Sequence, residues 1–168
     1  GTIYEVQGLD ERALVRAKSA GRSVTAAPGG NKLPHDAIFG LPVDVLIPAA
    51  VTDAINKRNK GSIRARIIVE GANIPMRETI EEELFRRGIL IVPDIVANAG
   101  GVISSYAEYR GYNPKRMFET VEKRIAQTTR RVLAESRRRK MNPRAVALER
   151  AMALVQDAMQ ERGSPFLG

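Results

Sequence analysis

Asn98-Ala99-Gly100-Gly101-Val102-Ile103-Ser104-Ser105-Tyr106 follows the short apolar run Ile89-Leu90-Ile91-Val92, which Pro93-Asp94 closes. Helix-compatible residues come after it. This order reads as a buried strand that runs into a loop, then a segment of small side chains that opens a helix. Open α/β sheets bind ligands at such strand ends, where backbone approaches closely and helix amides point at the ligand. Two glycines at a helix start cost about 1 kcal/mol each relative to alanine. Close approach to a ligand justifies that cost. So does tight packing of the helix on the sheet through Gly100 and Gly101, and the residues alone leave both readings open.

Upstream, strand and helix patterns alternate. Asp10 is an N-cap candidate before Glu11-Arg12-Ala13-Leu14-Val15-Arg16-Ala17, and Gly21 stops that helix. Ala26-Ala27-Pro28-Gly29-Gly30-Asn31 reads as a loop; no GxxxxGK[ST] pattern follows, so a turn explains it better than a phosphate loop. Val43 to Ile47 is short, β-branched and ended by Pro48, as a buried strand is. Thr52 is placed to cap a short helix through Arg58. Ile63 to Val69 predicts a second strand, Arg77 to Arg87 a helix ended by Gly88, and Ile89 to Val92 a third strand. Alternation of this kind implies right-handed crossovers and a parallel sheet.

Beyond Asn113 the pattern is helical. Pro114 suits a first turn, and Phe118, Val121, Ile125, Thr128 and Val132 share one face. Asn142-Pro143 starts a second helix, whose stripe of Leu148, Ala151, Met152, Val155, Ala158 and Met159 is expected to pack on the sheet or on its neighbour, with Gly163 ending it. The fold class is therefore α/β, a Rossmann-like parallel sheet over about residues 1–106 followed by C-terminal helices over about 113–163.

The 168 residues suffice to bury a core, and 43% hydrophobic with 27% charged residues is the balance of a globular protein. No apolar run approaches the ~20 residues that span a bilayer, and no signal peptide is visible, so a cytoplasmic location is expected. Without cysteine, thiolate catalysis, disulfides and cysteine metal sites are excluded. The single histidine, His35, is read as structural or exposed. Net charge is +8, and Lys115 to Lys140 contributes most of it, with ten Lys/Arg against Glu119, Glu122 and Glu135. The run Arg137-Arg138-Arg139-Lys140 invites a nucleic-acid reading. No aromatic residues interleave with it, and cations at a helix end also complement the dipole, so a solvated helix end is preferred.

Three ordered motifs carry a resemblance. Val43-Asp44-Val45-Leu46-Ile47-Pro48-Ala49-Ala50, then Ile67-Ile68-Val69-Glu70-Gly71-Ala72-Asn73, then Ile91-Val92-Pro93-Asp94-Ile95-Val96-Ala97-Asn98-Ala99-Gly100-Gly101-Val102 resemble the coenzyme domain of the glutamate dehydrogenase family, which includes leucine, valine and phenylalanine dehydrogenases. The opening Gly1-Thr2-Ile3-Tyr4 with Gly8-Leu9-Asp10 fits just past that domain's second strand. The resemblance is strong to about Tyr106 and continues to Gly163. It implies an NAD or NADP cofactor, L-glutamate and 2-oxoglutarate as substrate and product, and a hexameric parent.

The resemblance also implies roles for particular residues. Pro48, Ala49 and Ala50 would line the cofactor ribose. Asn73 would lie beside the nicotinamide ribose and Asn98 near the carboxamide, and an amide offers both the donor and the acceptor such groups need. Val102 and Ser105 match the substrate side-chain pocket, and one helical turn lets both face one cleft. Ser105 favours glutamate, because a hydroxyl donating to the distal carboxylate makes a charge-assisted bond. Gly111-Tyr112-Asn113-Pro114 resembles the leucine-type branch instead, and Ile74, Met76 and Arg77 depart from the usual Gly-Pro-Thr-Thr. No GxGxxG occurs in the sequence. That turn, the acidic residue after the second strand, and the substrate domain with its catalytic lysine and aspartate are expected outside this stretch, so no catalytic residue is assigned here.

Overall fold

The computed structural model describes residues 1–161. In chain order it contains β1 (Thr2–Tyr4), α1 (Glu11–Ser19), β2 (Asn31–Leu33), β3 (Val45–Leu46), β4 (Ile67–Val69), α2 (Glu78–Arg86), β5 (Leu90–Val92), α3 (Asp94–Ala97), α4 (Gly100–Tyr109), α5 (Pro114–Arg139) and α6 (Pro143–Glu161), with short 3-10 turns between. Gly163, the expected stop of the last helix, lies outside the described residues.

β3, β4 and β5 form a parallel sheet in that order, with Leu46 opposite Ile68 and Ile68 opposite Ile91. Alternate strand residues point to opposite faces. Ile68 and Ile91 meet Ile80 and Leu84 of α2, with Leu46, Ile55, Ile63 and Met76 completing that layer. Val92 and Val69 face the other way, onto Val96 of α3 and Val132, Val146 and Ala147 of the C-terminal helices. The α/β reading therefore holds, with helices on both faces of the sheet.

The helix boundaries follow from capping chemistry. The Asp10 side chain accepts the Ala13 amide at 3.1 Å, Asn113 accepts that of Arg116 at 2.9 Å, and Asn142 accepts that of Arg144 at 2.8 Å. Gly21 and Gly88 follow their helices at φ +69° and +86°.

Four expectations need correction. Thr52 to Arg58 is a set of turns rather than a helix. Asn59 there accepts the Asn56 amide at 2.8 Å and donates to the Ala54 carbonyl at 2.9 Å, and such side-chain bonds compete with helix hydrogen bonding. β1 and β2 form an antiparallel ribbon separate from the parallel sheet. The segment after β5 is not a loop: Asp94–Ala97 makes one helical turn, and Asn98 ends it. The stripe on α6 is largely uncovered among the described residues, with Met152 at 61% and Val155 at 59% exposure, because only Pro143, Val146 and Ala147 in its first turns reach the core. Burial on α5 is likewise concentrated near its end, at Val132 and Ser136, while Phe118 is exposed.

Candidate functional site

The carboxyl ends of β3 and β4 and the end of α3 surround an open cleft of about 540 Å³, lined by Ala49, Ala50, Val51, Thr52, Gly71, Ala72, Asn73 and Asn98. Its position is the one that strand topology dictates, since ligands of parallel sheets bind outside the carboxyl ends of the strands. The two strand ends approach closely. A Cβ on Gly71 would stand 2.9 Å from the Ala49 Cβ, so glycine is required there. The Ala72 amide donates to the Pro48 carbonyl at 2.9 Å, which extends the ladder into the cleft wall.

Asn73 and Asn98, twenty-five residues apart, meet across this cleft: Asn98 Nδ2 donates to Asn73 Oδ1 at 2.6 Å. That bond leaves Asn73 Nδ2 to donate and Asn98 Oδ1 to accept. One donor and one acceptor side by side is the complement of a neutral carboxamide or of a ribose hydroxyl pair. The Thr52 hydroxyl donates to the Asn73 carbonyl at 3.0 Å and fixes the loop from the other side. From the sequence Thr52 reads only as a helix cap, and no cleft role is expected of Val51, Gly71 or Ala72.

Of the other expected residues, Ala49 and Ala50 line the cleft, while Pro48 is buried behind it. Pro48 faces an adjoining apolar hollow of about 590 Å³ beside β3, which Ile47, Ala49 and Phe39 also line. Val102 and Ser105 do not line the amide cleft. They stand one turn apart on the exposed side of α4, Val102 at 79% exposure. The Ser105 hydroxyl donates to the Gly101 carbonyl at 3.1 Å, as Ser104 does at 2.8 Å. Gly100 and Gly101 do not press on the sheet. A Cβ on Gly100 would make ordinary contact with Val121 of α5 at 3.5 Å, and one on Gly101 would meet open space.

Behind the cleft lies a buried polar cluster that the motif reading passed over. Arg144 of α6 reaches three carboxylates with three nitrogens: Nη2 to Glu70 Oε2 at 2.6 Å, Nη1 to Asp94 Oδ1 at 2.9 Å, and Nε to Glu81 Oε2. Glu70 and Glu81 are wholly buried and Asp94 nearly so. Glu70 Oε2 also accepts the Asp94 amide at 2.8 Å, and Asp94 Oδ2 accepts the Ile74 amide at 2.8 Å. Ile74 sits at φ +48° and Asp53, facing it, at φ +55°. A β-branched residue at positive φ costs of order 1–3 kcal/mol and persists only where its surroundings fix it. Here the Asp53 amide donates to the Ile74 carbonyl at 3.0 Å, and Arg77 pairs with Asp53 at 2.6 Å.

Burial, then the neighbouring Glu81, push the Glu70 carboxyl up to about 7 against the opposing pull of the Asp94 amide and Arg144. Burial raises Glu81 as well, despite its bond to Arg144. Burial works the same way on Asp94, but the Ile74 amide and the Arg144 guanidinium outweigh it and hold that carboxyl below its usual range. One signal in the sequence pointed here: a charged residue, Glu70, directly continues the apolar strand Ile67-Ile68-Val69.

The basic surface of α5 is separate from the cleft. Arg137, Arg138 and Lys140 are exposed, whereas Arg139 pairs with Glu135 at 3.0 Å and Glu149 at 2.6 Å and so ties α5 to α6. Arg116 lies over the Tyr112 ring at 3.9 Å. Among the described residues no helix is long and apolar enough to cross a membrane. His35 is exposed and bonds its neighbour Asp36 at 3.1 Å, away from the amide pair.

The sequence matches the profile of the family described as Glutamate/Leucine/Phenylalanine/Valine dehydrogenase over residues 1–163. It is 45% identical over 109 residues to a glutamate dehydrogenase of Thermotoga maritima, a match covering 65% of this chain and 26% of that protein. It is 43% identical over 110 residues to an NADP-specific glutamate dehydrogenase of Saccharolobus shibatae, again 65% of this chain and 26% of the relative. The chain thus spans about a quarter of the length of these curated relatives. Among solved structures, the hetero-hexameric glutamate dehydrogenase of Thermus thermophilus in its Leu-bound form superposes with TM-score 0.78 at 27% identity, covering 95% of this chain and 39% of that one. An L-tryptophan dehydrogenase of Nostoc punctiforme, 23% identical, shares the fold with TM-score 0.71 over 90% of this chain and 43% of its own. Sequence and fold agree along nearly the whole chain, and it belongs to the Glutamate/Leucine/Phenylalanine/Valine dehydrogenase family.

Proposed function

We propose that residues 1–168 are the C-terminal part of the coenzyme-binding domain of an NAD(P)-dependent glutamate dehydrogenase. The observation that carries this reading is the Asn73–Asn98 pair, which presents a donor and an acceptor at the carboxyl ends of parallel strands. The named relatives supply the substrate class, since both are glutamate dehydrogenases and one is NADP-specific. The cofactor supplies hydride acceptance when bound. The chain's own work is to hold it: Ala49, Ala50 and Gly71 admit the ribose side without side-chain bulk, and the two amides fix the orientation of the nicotinamide end. Among the described residues β3 pairs only with β4. Its other edge is the place a dinucleotide sheet gives to the strand bearing the glycine-rich turn. That segment, the substrate domain and a hexameric assembly belong to the complete polypeptide on this reading.

Ser105 reads the substrate. Its hydroxyl has one proton, now given to the Gly101 carbonyl. Glutamate must draw that proton to its distal carboxylate, so the gain is the difference between a charge-assisted and a neutral bond, about 1 kcal/mol, or several-fold in kcat/KM. The test is amino-acid turnover by the complete polypeptide with NAD or NADP. Glutamate should be preferred over leucine and norvaline, and Ser105→Val should lower the glutamate-to-norvaline ratio several-fold. Preference for leucine in the wild type would assign the chain to the leucine-type branch, to which Gly111-Tyr112-Asn113-Pro114 is similar.

A further inference from the structure

We propose that Glu70, Glu81, Asp94 and Arg144 form a positioning device that sets the relative placement of the Asn73 and Asn98 loops, so that α6 governs cofactor affinity from behind the cleft. The proposal rests on the coenzyme-site reading above. Asp94 begins the single turn of α3 that ends at Asn98, and its carboxylate holds the Ile74 amide next to Asn73 at 2.8 Å. Glu70 directly follows β4, three residues before Asn73, and its carboxylate holds the Asp94 amide at 2.8 Å. Arg144 bonds Glu70, Asp94 and Glu81 together from α6, whose first turn Asn142 caps. The left-handed Ile74 is the strained link in this chain, and the Asp94 bond is one of those that keep it in place.

The cluster holds one cation against three carboxylates, so full ionisation leaves buried excess negative charge. Among the described residues no cation besides Arg144 pairs with these carboxylates. On α2, Glu78 adds negative charge beside Glu81, and Glu82 is engaged with Asn142 and Arg86. The oxygens show where a proton fits. Glu70 Oε2 takes both donors, the Asp94 amide and Arg144, while Glu70 Oε1 is buried with no partner among the described residues, as is Glu81 Oε1. A proton on Glu70 Oε1 preserves both bonds and removes one charge. Loss of that proton, near pH 7, tightens the bonds to Arg144 and the Asp94 amide but leaves a buried anion beside Glu81, so the closed cluster as a whole is favoured less against an opened one that admits water, and both asparagine loops loosen with it.

Cofactor affinity should therefore fall as pH rises through about 7. Glu70→Gln copies the protonated acid, with an acceptor for the two donors and an amide where the proton sits. In the complete polypeptide, the Kd of NADH and NADPH, read by cofactor fluorescence from pH 6 to 8.5, should rise three- to tenfold in the wild type. In Glu70→Gln it should stay flat at the low-pH value. The cofactor's own titrating groups would affect both proteins alike. A profile unchanged by Glu70→Gln overturns the proposal. A wild type that binds neither cofactor at any pH overturns the coenzyme-site reading instead. Hydrogen–deuterium exchange of the wild type across residues 71–76 decides the matter even where the variant fails to fold. Protection, corrected for intrinsic exchange, should drop through pH 7, and constant protection contradicts the device.

Discussion

Glu70 shows how much a single residue at a strand end can carry. Its folded-state value of about 7 stands above the ordinary 4.5, so the native state holds its proton more tightly than the unfolded chain does. The stabilisation linked to that proton is complete below pH 4.5 and is lost as pH rises through 7. The raised Glu81 acts with the same sign. Asp94, which is held low, acts oppositely, but only where pH falls below its ordinary 3.8. At about 1.4 kcal/mol per pH unit, the Glu70 shift amounts to about 2.5 kcal/mol of stability lost between pH 5 and 8. Thermal unfolding of the wild type and Glu70→Gln should therefore coincide near pH 5 and diverge by pH 8, with the wild type melting lower. A gap that stays constant over that range would show that Glu70 does not titrate there. Asn73 and Asn98 were singled out by the resemblance of their motifs, and the structure brings their amides together. The Glu70–Arg144 bond was not legible, since seventy-four residues separate its ends and no local pattern announces it.

Among elements, the legible ones were those with a cap or a period long enough to read. Asp10, Asn113 and Asn142 are side-chain caps that sit where capping chemistry puts them. α3 escaped because four residues show no period, and β2 because Asn31-Lys32-Leu33 carries no apolar alternation. Thr52 to Arg58 misled because Asn56 and Asn59 turn their amides onto the backbone. The pairing of β3 and β4 was legible as a parallel sheet, and their closeness beyond the ladder explains Gly71. Gly71→Ala places a methyl 2.9 Å from the Ala49 Cβ. Overpacking of this kind costs about 1–3 kcal/mol. The variant should melt several degrees below the wild type and bind cofactor more weakly, and Ala49→Gly in the same chain should recover part of both. A Gly71→Ala protein as stable as the wild type would mean the strand ends separate freely.

Across the whole molecule, the amide cleft opens at one end of the sheet and much apolar surface lies outside it. The exposed Val102, Ser105, Tyr106 and Tyr109 on α4, and the uncovered Met152, Leu154 and Val155 on α6, form surface with no cover among the described residues. On the proposed reading, Asn73 and Asn98 hold the nicotinamide end of NAD(P). The most direct measurement is the cofactor KM of the complete polypeptide with glutamate saturating, for Asn73→Ala, Asn98→Ala and the double variant. Each neutral hydrogen bond to the ligand contributes about 0.5–1.5 kcal/mol, so each single variant should raise KM roughly two- to tenfold. Because the two amides bond each other at 2.6 Å, the double variant should fall short of the product of the single effects. Unchanged cofactor KM in all three variants, with the fold intact, would contradict the account.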